Sequence, residues 1–114
     1  MSLALSPDGT LRPLSRERAR AIARVFLPAH PLGNRYHYYY AGAKLRSDPL
    51  YPAVCEVMRG TRAPLLDLGC GLGLLAHALH QDGIHVRYFG VDNDGRKIAG
   101  ARRAAARAGL ADTG

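Results

Sequence analysis

Apolar positions follow two different rhythms along this chain, and the change of rhythm divides it near residue 60. After Ser15, the residues Ala19, Ile22, Ala23 and Phe26 fall at i, i+3, i+4 and i+7, while Arg16, Arg20 and Arg24 share another face. That spacing predicts an amphipathic helix capped by Ser15, with Glu17 in its first turn, running to about Leu27. Pro28, Pro31, Gly33 and Asn34 stop it. A second helix is expected over Arg35–Arg46. A third starts with Asp48 as N-cap and Pro49 in its first turn, tolerates the early Pro52, and ends near Arg59 and Gly60. Before Ser15, the stretch holding Pro7, Asp8, Gly9 and Pro13 reads as an irregular leader.

Past Gly60 the rhythm becomes that of alternating strands and helices. Ala63–Leu68 is a short, nearly continuous apolar run, which predicts a strand buried on both faces. A glycine-rich loop occupies Gly69–Gly73. Leu72, Leu75, Ala76 and Leu79 then return to helical spacing until Asp82 and Gly83. Ile84–Val91 reads as a second strand ending at Asp92. A last helix is expected from Asp94 to Ala108, with Ile98, Ala101, Ala105 and Ala108 inward, Arg96, Arg103 and Arg107 outward, and Gly109 closing it. Strand, glycine loop, helix, strand, helix is the opening of a doubly wound parallel α/β fold with right-handed crossovers. The expected fold is therefore Rossmann-like but incomplete, holding the first two strands with their helices behind a helical lead-in.

Composition narrows the class. The 114 residues are 47% hydrophobic and 22% charged, which fits one soluble globular domain. Lys plus Arg is 16 against 9 for Asp plus Glu, giving +7, and all but Lys44 and Lys97 of the basic residues are arginine. These arginines are spread out and read as solvated face; with no aromatic-basic RNA module, nucleic acid is not the expected partner. Two cysteines, Cys55 and Cys70, make no disulfide framework, and Met1–Thr10 carries no signal-peptide pattern. No apolar run approaches a membrane span. The expected location is cytoplasmic.

The chemistry concentrates in Leu65-Leu66-Asp67-Leu68-Gly69-Cys70-Gly71-Leu72-Gly73. Alternating glycines let the backbone turn sharply and approach a ligand, and the following helix aims its first amides at it. A dinucleotide fingerprint needs G-x-G-x-x-G; Gly69 and Gly71 fit, but the third position is Leu74. Asp67, just before the loop, would repel a pyrophosphate and suits a ligand with an ammonium or sulfonium charge, such as S-adenosylmethionine. Asp92, at the end of the second strand, stands where a carboxylate can accept hydrogen bonds from both ribose hydroxyls. The plainer readings are that Asp67 ties loop amides and that Asp92 caps the last helix.

Residues 65–108 resemble the opening of a class I S-adenosylmethionine-dependent methyltransferase. Leu65–Gly73 is similar to that family's first motif, and Gly90-Val91-Asp92-Asn93-Asp94 to its second. The helical region with Tyr36-His37-Tyr38-Tyr39-Tyr40 and Lys44–Pro49 resembles, less specifically, the lead-in of bacterial small-molecule members. The resemblance implies that Asp67, Leu68, Gly69, Cys70, Gly71 and Gly73 lie along the methionine part of the cofactor. It places Asp92 on the ribose and Asn93 near the adenosine. It also implies a seven-stranded sheet, of which this chain supplies two strands before Gly114, where a third is due. The expectation is an amino-terminal portion: a fragment, a truncated frame or a split protein, marginally stable, prone to self-association through unpaired edges, and inactive alone. No residue matches the family's adenine acid or its later catalytic loop, so no catalytic residue is named.

Other constellations are weaker. His77 and His80 share a helix face opposite the apolar stripe and are expected in solvent, and no metal site is expected. Tyr36 and Tyr40 are one turn apart, with Tyr39 near the same face. They are either packing residues or a wall of the active site, where an aromatic face attracts a sulfonium by roughly 0.5–2 kcal/mol. The sequence thus reads as a helical lead-in over 1–60 and the first part of a cofactor-binding domain over 61–114. The function expected is methyl transfer from S-adenosylmethionine to a small-molecule acceptor. The alternatives are a non-catalytic cofactor-binding or assembly module completed by a partner chain, and an NAD(P)-dependent oxidoreductase, against which Asp67 and Leu74 speak.

Overall fold

Ser15 opens the first element as its position demands. In the computed structural model, which describes residues 12–110, its Oγ accepts a hydrogen bond from the Arg18 amide and caps α1 (Arg16–Ala23). Most of the expected leader and the stretch before Gly114 lie outside the described residues. Ala19, Ile22, Ala23 and Phe26 are all buried. The helix ends earlier than expected, tightening into a 3-10 turn over Arg24–Phe26. Leu27 precedes Pro28 and is extended (ψ 141), because the proline ring disfavours helical backbone before it.

The second helix, α2 (Tyr36–Ser47), enters with its Tyr36 amide donating to Asn34 Oδ1 at 2.8 Å. It buries Ala41 and Leu45. A Cβ on Gly42 would lie 3.9 Å from Ala23 Cβ, so small residues let α1 and α2 approach closely. The third helix, α3 (Leu50–Met58), starts one residue later than expected. Pro49 takes the cap position, while Asp48 Oδ1 still accepts from the Leu50 amide at 2.9 Å.

Two short parallel strands follow, β1 (Leu65–Leu68) and β2 (Tyr88–Val91), with Leu65 opposite Tyr88 and Asp67 opposite Gly90. Both are shorter than the apolar runs suggested. Ile84 donates its amide to Leu79 O at 2.9 Å, so residues that read as strand close the preceding helix, α4 (Leu74–Gln81), instead. The expectation of a strand buried on both faces is also corrected. Asp67, Tyr88 and Gly90 turn toward α4 and α5 (Gly95–Arg107), but Leu66 (60% exposed), Leu68 (74%), Phe89 (40%) and Val91 (47%) form an opposite face that no described element covers.

Asp94, not Asp92, caps α5, accepting from the Arg96 and Lys97 amides. The buried face of α5 is Gly100, Ala104 and Ala105; Ile98, Ala101 and Ala108 are half-buried. The stripe is rotated because Gly100 is the contact point: a Cβ there would stand 3.0 Å from the His37 ring. In α4 every residue from Leu74 to Leu79 is buried, including His77, which was expected in solvent. The helix packs against α1 and α3, and its Ala76 and His77 share a small void with Tyr88 and Gly90 of β2. Core residues from both halves of the sequence join in one cluster from Leu14 to Ala104. Arg107 ties α5 back to the amino half by donating to the carbonyls of Val25 and Leu27. Among the described residues, no helix is long and apolar enough to cross a membrane.

Candidate functional site

The site is assembled where the two strands end. Gly69, Gly71 and Gly73 all have positive φ (73, 56 and 74), a region that costs a residue with a Cβ roughly 1–2 kcal/mol. These three left-handed positions let five residues, Gly69–Gly73, turn the chain from β1 into α4, with Gly73 as the cap of that helix. The loop is pinned from β2: the Gly69 and Cys70 amides both donate to Val91 O, at 2.8 and 2.9 Å.

Asp92, one residue further on, completes the clasp. Its Oδ2 accepts from the Gly71 amide and its Oδ1 from the Asp94 amide, each at 2.8 Å. These two amides, Asp94 first, hold the carboxyl below the usual carboxylate range, so it is ionised at neutral pH. Each oxygen keeps a lone pair for a further donor. The loop-tying role considered for Asp67 therefore belongs to Asp92. Asp67 instead accepts from the Tyr88 hydroxyl at 2.6 Å on the buried side of the sheet. Burial first and Asp67 second push the Tyr88 phenol far up, so it stays protonated and donates.

The remaining candidates separate into two groups. Gly71 and Asp92 meet directly, Gly69 and Cys70 are held to the strand end beside them, and Asn93 is exposed next to Asp92. The Leu68 side chain lies on the uncovered face of the sheet, away from Asp67, so only its backbone is near the loop. Cys70 points inward: a Cβ on Gly90 would stand 2.8 Å from its Sγ. Burial raises its thiol pKa, with Asp67 adding to it, which keeps the sulfur protonated and unreactive. The void behind the loop, lined by Cys70, Gly73, Tyr88 and Gly90 among others, has about 20 Å³. That is room for one water and not for a nucleoside.

Tyr36 and Tyr40 stack on each other with centroids 6.1 Å apart. The Tyr40 ring lies 5.6 Å from Lys97 Nζ, and Lys97 Cδ is 3.8 Å from where a Gly71 Cβ would be. The tyrosine pair thus reaches the glycine loop through Lys97, a residue the sequence reading missed. The available signal was that it is one of only two lysines in an arginine-rich chain, five residues after Asp92. Tyr39 is not brought to this site. It packs edge-on to Tyr38 (5.1 Å) and lines a separate groove with Arg16, Arg20 and Arg46. Among the described residues, no three His, Cys, Asp or Glu side chains gather where they could hold a metal.

In comparison with known proteins, residues 61–113 match a family model described as a methyltransferase domain. No curated protein and no solved structure matches the chain.

Proposed function

We propose that the protein is an S-adenosylmethionine-dependent methyltransferase acting on a small-molecule acceptor, a reading supported by the match of residues 61–113 to a family model described as a methyltransferase domain. The carrying observation is the clasp between Asp92 and the Gly71 amide, which sets a free carboxylate edge beside a left-handed glycine loop at the carboxyl ends of parallel strands. Ligands of open α/β sheets bind outside those ends.

The donor set fits this cofactor. Asp92 offers ionised oxygens to the two ribose hydroxyls, Asn93 is exposed beside it, and Gly69–Gly73 leaves bare backbone for the methionine part. Two carboxylates, Asp67 and Asp92, so close to the loop disfavour a pyrophosphate and suit a net-cationic ligand. The bound cofactor supplies a methyl group already activated by a sulfonium charge. What remains for the protein is alignment of the two reactants. Asp92 fixes the nucleoside end through the same carboxylate that orders the loop, so binding and loop geometry are coupled. The stacked Tyr36–Tyr40 pair, with Lys97 between it and the glycine loop, offers apolar ring faces and two phenols to an acceptor.

The uncovered sheet face supports a further part of this reading, association with a second copy. A cytoplasmic setting agrees with two unpaired cysteines. The direct test is calorimetry with S-adenosylmethionine, S-adenosylhomocysteine and NAD on the wild type and Asp92→Ala. Binding of the first two, weakened roughly tenfold or more by the substitution in a folded protein, is expected. Binding of NAD alone would replace this reading with the oxidoreductase one.

A further inference from the structure

We infer that Lys97 is a positioning residue for the carboxylate of the cofactor's amino-acid end, held in place by the ring of Tyr40. This rests on the cofactor reading above and names a residue that the glycine loop and the two acids leave out. S-Adenosylmethionine and S-adenosylhomocysteine carry a zwitterionic end, with an ammonium and a carboxylate on one carbon. If that end runs along Gly69–Gly73, its carboxylate needs a cationic partner near the loop.

Lys97 meets that need on four counts. Its amide donates to the cap residue Asp94, so its Cα is fixed in the first turn of α5. Its stem passes Gly71 so closely that Cδ lies 3.8 Å from the missing Cβ. Its ammonium stands 5.6 Å from the centre of the Tyr40 ring, within cation–π range, and Tyr40 is itself backed by Tyr36. Finally, the salt bridges among the described residues run from Arg18, Lys44 and Arg59 to Glu56, Asp48 and Asp82, and none engages Lys97. Its positive charge is felt at Asp92 without closing an ion pair there. An ammonium that is anchored, half-buried, aimed by an aromatic ring and free of a carboxylate partner among the described residues is prepared for an anion delivered by a ligand.

The division of labour follows from charge. The Asp92 carboxylate holds the neutral ribose, and Lys97, whose stem packs against Gly71, holds the anionic end. The same ammonium repels the sulfonium, which favours the cofactor placed with its carboxylate, and not its sulfur, nearest Lys97.

A pair of ligands isolates the effect. S-Adenosylhomocysteine has the amino-acid end; 5′-methylthioadenosine keeps the adenosine and sulfur but lacks that end. Calorimetry on the full chain is run with both ligands on wild type, Lys97→Met, Lys97→Arg and Tyr40→Leu, with thermal unfolding confirming that each variant folds. Lys97→Met is expected to weaken S-adenosylhomocysteine roughly tenfold or more while leaving 5′-methylthioadenosine within about twofold. Lys97→Arg should retain most of the affinity, and Tyr40→Leu should fall between. An equal loss for both ligands, or no loss for S-adenosylhomocysteine, would overturn the assignment while leaving the cofactor reading standing. A wild-type chain that binds neither ligand would overturn both.

Discussion

His77 shows how a single polar residue can be misplaced by pattern alone. Its spacing with His80 puts both opposite the leucine stripe of α4, yet His77 is buried with its ring edge-on to Phe26, centroids 5.4 Å apart. Periodicity reports one covered face; it has no way to report that α1 and α3 cover the other. Asp92 and Asp67 teach the complementary lesson. Their positions at strand ends were legible, but which of them ties the loop depended on where the Tyr88 hydroxyl lies, and that is tertiary information. The His77 site carries a pH signature. Burial, with His80 adding to it, lowers its pKa from 6.5 to about 4. The unfolded chain therefore binds a proton between those values that the folded chain does not. Stability is complete above pH 6.5 and falls as the pH drops toward 4, by at most about 3 kcal/mol from this group. The depressed carboxyls of Asp48 and Asp92 act in the same direction but at lower pH. Urea unfolding followed from pH 7 to 4.5 should show this decline in wild type and a distinctly flatter profile in His77→Leu. An unchanged slope would place the proton elsewhere.

At the scale of elements, helix starts were legible because caps are local: Ser15 and Asp94 do what their side-chain chemistry allows within three residues. Strand lengths were not, because a ladder needs a partner, and residues 84–87 stand before β2 begins. Glycines at close approaches also escape hydrophobic counting. Gly100 sets the face of α5, and Gly90 does the same for the loop. A Cβ on Gly90 would stand 2.8 Å from Cys70 Sγ, 3.0 Å from Cys70 Cβ and 3.0 Å from Tyr88 Cε1. Since Cys70 belongs to the loop and Tyr88 holds Asp67, overpacking here strains the element that carries the site. Gly90→Ala is expected to cost about 1–3 kcal/mol. Removing the nearest atom first, with Cys70→Ala, should recover part of that, leaving the Tyr88 and Cβ contacts. A double-mutant cycle by chemical denaturation measures this coupling; strict additivity would mean that the strand shifts away from the loop instead.

For the whole molecule, the binary pattern anticipated helices ahead of a strand–helix–strand–helix order, but not their packing, and the joint core from Leu14 to Ala104 shows why the two cannot be treated as independent surfaces. The pattern could not say that Leu66, Leu68, Phe89 and Val91 would remain uncovered. A run of apolar residues announces burial; it does not announce by what. These four side chains make a contiguous apolar face, and among the described residues the sheet has two strands, so each has an unpaired outer edge. Soluble monomers seldom expose such a patch without a partner. A second copy offers the same face, and a two-fold axis would set the leucines of one sheet against Phe89 and Val91 of the other. The chain's net charge of +7 opposes this approach. Salt screens that repulsion while leaving apolar burial intact, so association should strengthen as ionic strength rises. We therefore predict that sedimentation velocity on the 114-residue chain shows a concentration-dependent rise in average mass, steeper at 0.5 M than at 0.05 M salt, both roughly bracketing the range over which screening sets in. Leu66→Thr with Leu68→Thr should abolish it with little change in stability, because both side chains are already in solvent. A wild type that stays monomeric at all concentrations, or association that salt weakens, would show that the face is not the contact.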